Sequence, residues 1–257
     1  MFRLLQRVLR TLYGVCALVV FLLVVVIASV AALVVPRLEW RRSLTHRLAR
    51  IALAILGLRV TATGLENLPE GSCVVAANHS SYVDGVVLTA ILPPRFSFVI
   101  KREAANMPFV GLLLRRIGSE FVDRSDHGGR QRGARRVIKR AEQGHSLVFF
   151  PEGTFDEHVG LKRFHVGAFI AAVRGGMPVV PTVIHGARRA MPANALLVRP
   201  GRILVEILAP LPADGGKPDA LREAARRLIL ERLDEPDLAP TARTPVSSFP
   251  GDFTGTP

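Results

Sequence analysis

The run Asn78-His79-Ser80-Ser81-Tyr82-Val83-Asp84 directly follows the apolar stretch Cys73-Val74-Val75-Ala76-Ala77. A continuous run of small and β-branched apolar residues is typical of a strand that is buried on both faces. Ser81 lies three positions before Asp84, which is the capping-box pattern of a helix N-terminus. The segment therefore predicts a buried strand, a loop and a helix, which together are the repeating unit of an α/β sheet.

His79 and Asp84 are the residues of this run that can carry chemistry. Histidine exchanges a proton near neutral pH, and a neighbouring carboxylate fixes its tautomer and raises its basicity. On one continuous helix the two side chains would lie about 140° apart, on different faces. A helix that begins at Ser81 leaves His79 in the loop and Asp84 in the first turn, where the two can meet. The alternative is structural only, with Asp84 as a helix cap and His79 bonded locally.

Strand-like and helix-like segments alternate along the rest of the chain. Strands are predicted at 73–77, 96–100, 119–122, 146–150, 179–184 and 203–208. Helices are predicted at 44–58, 84–92, 107–116, 131–143, 167–174 and 218–234. This alternation predicts an α/β fold with a mostly parallel or mixed sheet covered by helices.

The N-terminal segment is apolar enough to enter a membrane. Leu12 to Val35 carries no charge over about 24 residues, or about 36 Å of helix, which exceeds the roughly 30 Å hydrocarbon core of a bilayer. A secretory signal peptide has a shorter apolar region, so a membrane-anchoring helix is preferred. A half-inserted helix or a helical hairpin is the alternative to a full span, because arginines flank both ends and Ile51 to Leu58 is also apolar.

Charge and composition suggest where the parts of the chain lie. Arginines are denser after the apolar segment than before it, which predicts a cytoplasmic C-terminal body. The net charge of +13 favours membrane lipids with anionic headgroups or an acidic partner. Nucleic acid is not expected, because no zinc-finger spacing, RNP-like motif or basic zipper occurs.

We expect a membrane anchor and amphipathic helix over 1–58, one α/β domain over 59–235 and a disordered tail over 236–257.

Two further motifs follow predicted strands. In Phe150-Pro151-Glu152-Gly153-Thr154, the glutamate can bind a hydroxyl or orient a cation, and the glycine permits an unusual turn. The alternative is an ordinary turn with a solvated glutamate. In Gly118-Ser119-Glu120-Phe121-Val122-Asp123-Arg124, the arginine can bind a phosphate with two donors, or it is a plain surface arginine. The nucleophile elbow of serine hydrolases, the P-loop and the H-E-x-x-H zinc helix do not occur, so no metal site is expected.

Four motifs in this order resemble the glycerolipid acyltransferase family, and most closely its bacterial 1-acyl-sn-glycerol-3-phosphate acyltransferases. They are NHSSYVD, GSEFVDR, FPEGT and Val180-Pro181-Thr182-Val183-Ile184, and the resemblance covers about residues 60 to 210. It implies that the domain transfers an acyl group from acyl-coenzyme A or acyl-carrier protein to a lysophospholipid, giving phosphatidic acid. No cofactor beyond this co-substrate is implied, and the implied location is the cytoplasmic face of a bacterial inner membrane.

The resemblance also implies roles for matching residues. His79 is the general base on the acceptor hydroxyl, and Asp84 holds and polarises it. Arg124 binds the acceptor phosphate. Acceptor placement is implied for Glu152, Gly153 and Thr154. Pro181 belongs to the strand that shapes the acyl-donor side.

The sequence departs from the family pattern at Phe155, where members usually have arginine after F-P-E-G-T. Phe164-His165 also replaces a segment that often contains lysine. The candidate replacements for the lost phosphate donor are Lys101, which we count among the substrate-binding residues, and Lys162, Arg163, Arg102 and Arg188. Alternatively the acceptor is another lysolipid, such as a lyso-aminolipid. A non-catalytic lipid-binding protein is the competing class.

Overall fold

The structure is a computed structural model, and it describes residues 2–123, 127–195, 197–213 and 215–239. Within these ranges the helices are α1 (Phe2–Val34), α2 (Leu38–Ile55), α3 (Asp84–Ile91), α4 (Val110–Arg116), α5 (His127–Glu142), α6 (Gly167–Arg174), α7 (Ala187–Ala190) and α8 (Pro218–Arg232). The strands are β1 (Leu58–Thr63), β2 (Val74–Ala77), β3 (Ser97–Lys101), β4 (Glu120–Val122), β5 (Leu147–Phe149), β6 (Val179–His185) and β7 (Gly201–Ile207).

The seven strands form one mixed sheet in the order β1-β7-β6-β2-β5-β3-β4. All neighbouring pairs are parallel except β6 and β7, so β1 and β7 run against the other five strands. The predicted fold class, a mixed α/β sheet covered by helices, is confirmed. β2 lies at the centre because its four residues are all buried and no side chain faces water.

The two faces of β2 pack against different helix layers. Cys73, Val75 and Ala77 belong to a core cluster that includes residues of α1, α2 and α3. Val74 and Ala76 belong to a second cluster with residues of α5, α6 and α8. Successive side chains of a strand point to opposite faces, so the sheet separates these two layers.

β1 is absent from the predicted strands, and its first residue lies in the predicted helix 44–58. The helix in fact begins earlier, at Leu38, and ends at Ile55, and the strand follows after a turn. Exposed Arg59 alternates with Leu58 and Val60, which face inward. This period of two is the pattern of a half-buried strand, and the apolar run before it obscures it.

α1 is one continuous helix in which Thr11–Val34 is long and apolar enough to cross a membrane. Its C-terminal half also contacts the domain. Ala28 and Ala32 pack with Leu113 of α4 and with Ile117, which follows this helix, and the Ser29 hydroxyl donates to the carbonyl of Phe109 over 2.9 Å. The globular domain therefore lies directly beside the helix that would enter the membrane.

The described chain stays packed beyond the predicted start of the tail at 236. Asp237 forms an isolated bridge with Leu161, and its carboxylate pairs with Arg226 of α8. The packed domain thus extends to Ala239. The rest of the predicted tail, 240–257, lies outside the described residues.

Candidate active site

The sequence motifs lie after the carboxyl ends of parallel strands. His79 follows β2, Glu152 follows β5, and Lys101 ends β3. β5 pairs with β2, and β3 pairs with the other side of β5. Because these strands are parallel, their carboxyl ends place His79 and Glu152 at one edge of the sheet. Ligands of open α/β sheets bind in the crevice outside such strand ends.

His79 and Asp84 meet as a hydrogen-bonded pair. His79 Nδ1 lies 2.9 Å from Asp84 Oδ2. The same oxygen accepts the backbone N–H groups of Ser80 and Ser81 at 2.7 and 2.8 Å. Asp84 is fully buried, whereas the His79 side chain keeps 18% of its surface exposed. A carboxylate that already accepts from two N–H groups is an acceptor for Nδ1–H, which leaves the Nε2 lone pair free to take a proton.

The local helix start explains how the pair forms. The Asp84 carboxylate accepts the N–H of Ser81, which is one of the two bonds of the predicted capping box. The other bond is not formed, because the Ser81 hydroxyl accepts the N–H of Val83 instead of that of Asp84. The regular helix α3 begins at Asp84 rather than at Ser81, because residues 82 and 83 form a turn. His79 therefore lies in the loop as predicted, and Asp84 reaches back to it.

Glu152 is a buried carboxylate that joins two loops. Its Oε1 accepts the backbone N–H of His79 at 2.6 Å, and its Oε2 accepts the N–H of Lys162 at 2.9 Å. Burial is the largest cause that raises its pKa to about 7, against the lowering effect of these two hydrogen bonds. Both oxygens bind main chain, and no cationic side chain bonds to the carboxylate among the described residues. Its direct contacts therefore hold the His79 loop, and acceptor binding by Glu152 stays a prediction.

Gly153 and Thr154 complete this second loop. Gly153 has φ = 80°, a conformation that glycine adopts at no steric cost. No helix begins at Thr154, and its exposed hydroxyl makes one weak contact of 3.4 Å to the carbonyl of Phe155. Thr154 is thus free to meet a substrate, which stays a prediction.

Aromatic rings surround the imidazole of His79. Phe150 stacks on it with a centroid distance of 4.2 Å, and Phe155 meets it edge-on at 4.5 Å. Tyr82, whose side chain is largely exposed, meets Phe155 at 4.7 Å. The position where the family usually has arginine therefore places an apolar ring directly against the candidate base.

The predicted phosphate donors are dispersed. Arg124 lies outside the described residues. Lys101 ends β3, two strands from β2 and roughly 10 Å away across the sheet. Several alternatives already bind carboxylates: Lys162 pairs with Asp156, Arg188 with Glu235, and Arg102 with Asp123. Of the candidate replacements, Lys101 and the exposed Arg163 form no ion pair with the described residues.

Asn78 is a positioning residue that sequence reasoning missed. Its amide donates to the carbonyl of Ile184 at 3.1 Å and accepts the N–H of Ile184 at 2.7 Å, which extends the pairing of β2 with β6. The Ser81 hydroxyl similarly donates to the carbonyl of Met191 at 2.7 Å. The signal was the position of Asn78 between the strand and His79, where an amide can replace missing ladder bonds.

The sequence of this chain is similar to those of known acyltransferases. Residues 59–185 match the Acyltransferase family. The chain is 31% identical over 177 residues to the 1-acyl-sn-glycerol-3-phosphate acyltransferase of Pseudomonas aeruginosa, covering 67% of each protein. It is 30% identical over 202 residues to the chloroplastic enzyme BAT2 of Brassica napus, covering 76% of this chain and 58% of that protein. The chain thus spans less than two thirds of the plant relative.

A solved structure shares the fold. The crystal structure of the 1-acyl-sn-glycerophosphate acyltransferase PlsC from Thermotoga maritima superposes with a TM-score of 0.74 at 22% sequence identity. The match covers 87% of this chain and 95% of the other. The fold of this chain is therefore one that a solved structure also has.

Proposed function

The chain belongs to the acyltransferase family, and from this premise we propose that it transfers a fatty acyl group from an acyl thioester to the free hydroxyl of a 1-acyl-sn-glycerol 3-phosphate. The product is phosphatidic acid, and the reaction is a step of phospholipid synthesis at a membrane. The relatives named above support the acceptor, and the pair of His79 and Asp84 supports the reaction.

The proposed chemistry is a direct transfer. His79 Nε2 removes the proton of the acceptor hydroxyl as its oxygen attacks the thioester carbonyl carbon. The tetrahedral oxyanion then collapses and the C–S bond breaks. The leaving thiolate takes the proton from the imidazolium, which returns His79 to its neutral form. Buried Asp84 stabilises the imidazolium and keeps Nδ1 protonated. Base catalysis of this kind supplies typically about 10²–10⁴-fold, and alignment of the two substrates must supply the rest.

The 2.9 Å contact between His79 Nδ1 and Asp84 Oδ2 is the observation on which the proposal depends most. It orients the base, and the partly exposed ring is accessible to a substrate. A protein that kept the fold only to bind lipid would not need this buried carboxylate. Glu152 and Asn78 act as positioning residues, because they hold the loop through its main chain and the adjoining strand.

A second acceptor is favoured by one observation. Phe155 presents an apolar ring to His79 where the family usually has a phosphate-binding arginine. A lysolipid with a different headgroup, such as a lyso-aminolipid, would lose nothing from this change. The acyltransfer reaction is the same for either acceptor.

An acceptor screen with the purified full chain tests the proposal. The protein in detergent is incubated with labelled palmitoyl-coenzyme A or palmitoyl-acyl-carrier protein and a set of lysolipids, and the products are identified by mass spectrometry. We expect phosphatidic acid as the main product. A main product from another lysolipid would select the second acceptor. Absence of transfer to every acceptor by a folded protein would leave a lipid-binding protein instead.

We propose that the domain lies on the cytoplasmic side of the bacterial inner membrane, with α1 as its anchor. The dense arginines after α1 support this orientation. A variant without Cys16 and Cys73, carrying one reporter cysteine after Pro236, should react with a membrane-impermeant thiol reagent in inverted vesicles and not in intact cells. Labelling from the periplasmic side would contradict this orientation.

A further inference from the structure

α5 carries four basic side chains on one side. Arg132, Arg135, Arg136 and Lys139 follow the spacing i, i+3, i+4 and i+7, which places them on one face of the helix. All four are exposed. This set, the basic stripe, is about 10 Å long.

The charge of the basic stripe is not neutralised by its surroundings. In the described part of the chain none of its four side chains forms an ion pair, and Arg136 donates to the backbone carbonyl of Phe121. Helix α8 differs, because three of its arginines form ion pairs. These pairs are Arg222 with Asp219, Arg226 with Asp237, and Arg227 with Glu231. A helix that keeps four unpaired exposed cations is suited to an anionic partner.

The basic stripe lies on the side of the sheet away from the membrane helix. The opposite side of α5 is buried through Val137 and Ala141, in the cluster shared with Val74 and Ala76 of β2. Residues of α1 and α2 pack in the cluster on the other face of the sheet. Val137 and Ala141 are covered by the domain, and α5 lies on the face of the sheet opposite α1, so the stripe faces away from the helix that would enter a bilayer. A soluble acidic partner therefore fits the stripe better than a lipid surface.

The stripe also leads toward the candidate active site. α5 begins at His127, shortly after β4 ends at Val122, at the same carboxyl edge of the sheet that holds His79. Gly133 faces β4 closely, since a Cβ at this position would lie 3.3 Å from Val122 Cα. A protein docked on α5 is thus next to the edge where the thioester must react.

Resting on the proposed acyltransferase function, we propose that the basic stripe docks an acyl-carrier protein that delivers the thioester to His79. Acyl-carrier proteins are small and acidic, and they present the acyl group on a long flexible arm. Complementary charge at an exposed surface speeds association and weakens with salt. Docking on the stripe would favour acyl-carrier protein over acyl-coenzyme A as the acyl donor.

Charge reversal on the stripe tests this assignment with the full chain in detergent. The variant Arg132→Glu/Arg135→Glu is compared with Arg227→Glu on α8, an exposed arginine outside the stripe. Steady-state rates are measured with palmitoyl-acyl-carrier protein and with palmitoyl-coenzyme A at one acceptor concentration. We expect KM for the carrier protein to rise about tenfold or more in the stripe variant, with kcat within about twofold. Both constants for palmitoyl-coenzyme A, and all constants of Arg227→Glu, should stay within about twofold of wild type.

An equal loss with both donors, or an unchanged KM for the carrier protein, would overturn the proposal. Direct binding of fluorescently labelled palmitoyl-acyl-carrier protein needs no turnover, so it separates this proposal from the proposed function. If the wild type turned over neither donor, the proposed function would fail, and weaker binding by the stripe variant would still support docking. Equal binding by wild type and variant would refute docking. Loss of binding to phosphatidylglycerol vesicles in the variant would assign the stripe to lipid instead.

Discussion

The segments that follow β2 and β5 each contain one buried carboxylate, and the two carboxylates have different partners. Asp84, the first residue of α3, bonds to the side chain of His79 and to two N–H groups of the loop before the helix. Glu152 in the second loop bonds to the main chain of His79 and of Lys162. One carboxylate orients a side chain that can react, and the other fixes the loop that carries it. Two residues of similar chemistry and burial therefore have separable functions.

Asp84→Asn should have the largest effect among the loop variants. Asp84 Oδ2 accepts from His79 Nδ1 and from the N–H groups of Ser80 and Ser81, so the amide oxygen of the variant would keep this position beside Nδ1. The variant keeps the orientation of the imidazole but loses the negative charge that stabilises the imidazolium when His79 takes the proton. We expect kcat to fall at least about a hundredfold with KM for the acceptor nearly unchanged. A kcat close to wild type would show that the charge of Asp84 does not assist His79.

Glu152→Gln should change stability and its dependence on pH. Burial raises the pKa of Glu152 to about 7, so the folded protein holds this proton more tightly than the unfolded chain. The stability contributed by protonation is fully present below the unfolded pKa and is lost as pH rises through about 7. The free energy of unfolding of wild type relative to Glu152→Gln should therefore fall between pH 5 and pH 8, by up to about 3 kcal/mol. Denaturant unfolding in detergent at several pH values measures it, and parallel profiles for the two proteins would refute the shift.

Phe155→Arg should change the acceptor preference without removing the base. An arginine here can donate to a phosphate, and a hydrogen bond to a charged group contributes about 1.5–3 kcal/mol. We expect the ratio of kcat/KM for lysophosphatidate to that for an uncharged lysolipid to rise roughly tenfold. Phe155→Leu is the matched control, since it removes the ring and adds no donor. An increase of the same size in the leucine variant would exclude a phosphate contact.

Thr154→Ala should have the smallest effect. The side chain is exposed and makes one weak contact, so stability should change by less than about 0.5 kcal/mol. If Thr154 binds the acceptor as the family resemblance implies, KM for the lysolipid will rise while the thermal midpoint stays constant. If neither quantity changes, Thr154 has no part in acceptor binding.

Local patterns predicted the elements that carry the site. The apolar run of β2 and the spacing of Ser81 and Asp84 predicted a strand, a loop and a helix start, because hydrophobic periodicity and capping are local. The same locality explains the errors. β1 was hidden because the apolar end of α2 adjoins it, and the ion pair of Asp237 with Arg226 is a tertiary contact that no local pattern indicates.

The partners of Glu152 and Phe155 were beyond sequence reasoning. Glu152 bonds to the main chain of His79, 73 positions away, and no spacing rule connects two loops on neighbouring strands. Phe155 was recognised as a departure from the family pattern, but its contact with the imidazole depends on how the loop after β5 folds over the loop after β2. The family resemblance suggested which residues matter, and the structure shows how they are held.

The most direct test of the account is the turnover of His79→Ala under conditions where wild type converts labelled palmitoyl thioester and lysophosphatidate to phosphatidic acid. Folding is checked by circular dichroism and by an unchanged thermal midpoint. We expect kcat to fall by about 10²–10⁴-fold, because the variant lacks the base but keeps Asp84, Glu152 and the binding surface. A folded His79→Ala protein with wild-type turnover would contradict the central claim that His79 activates the acceptor.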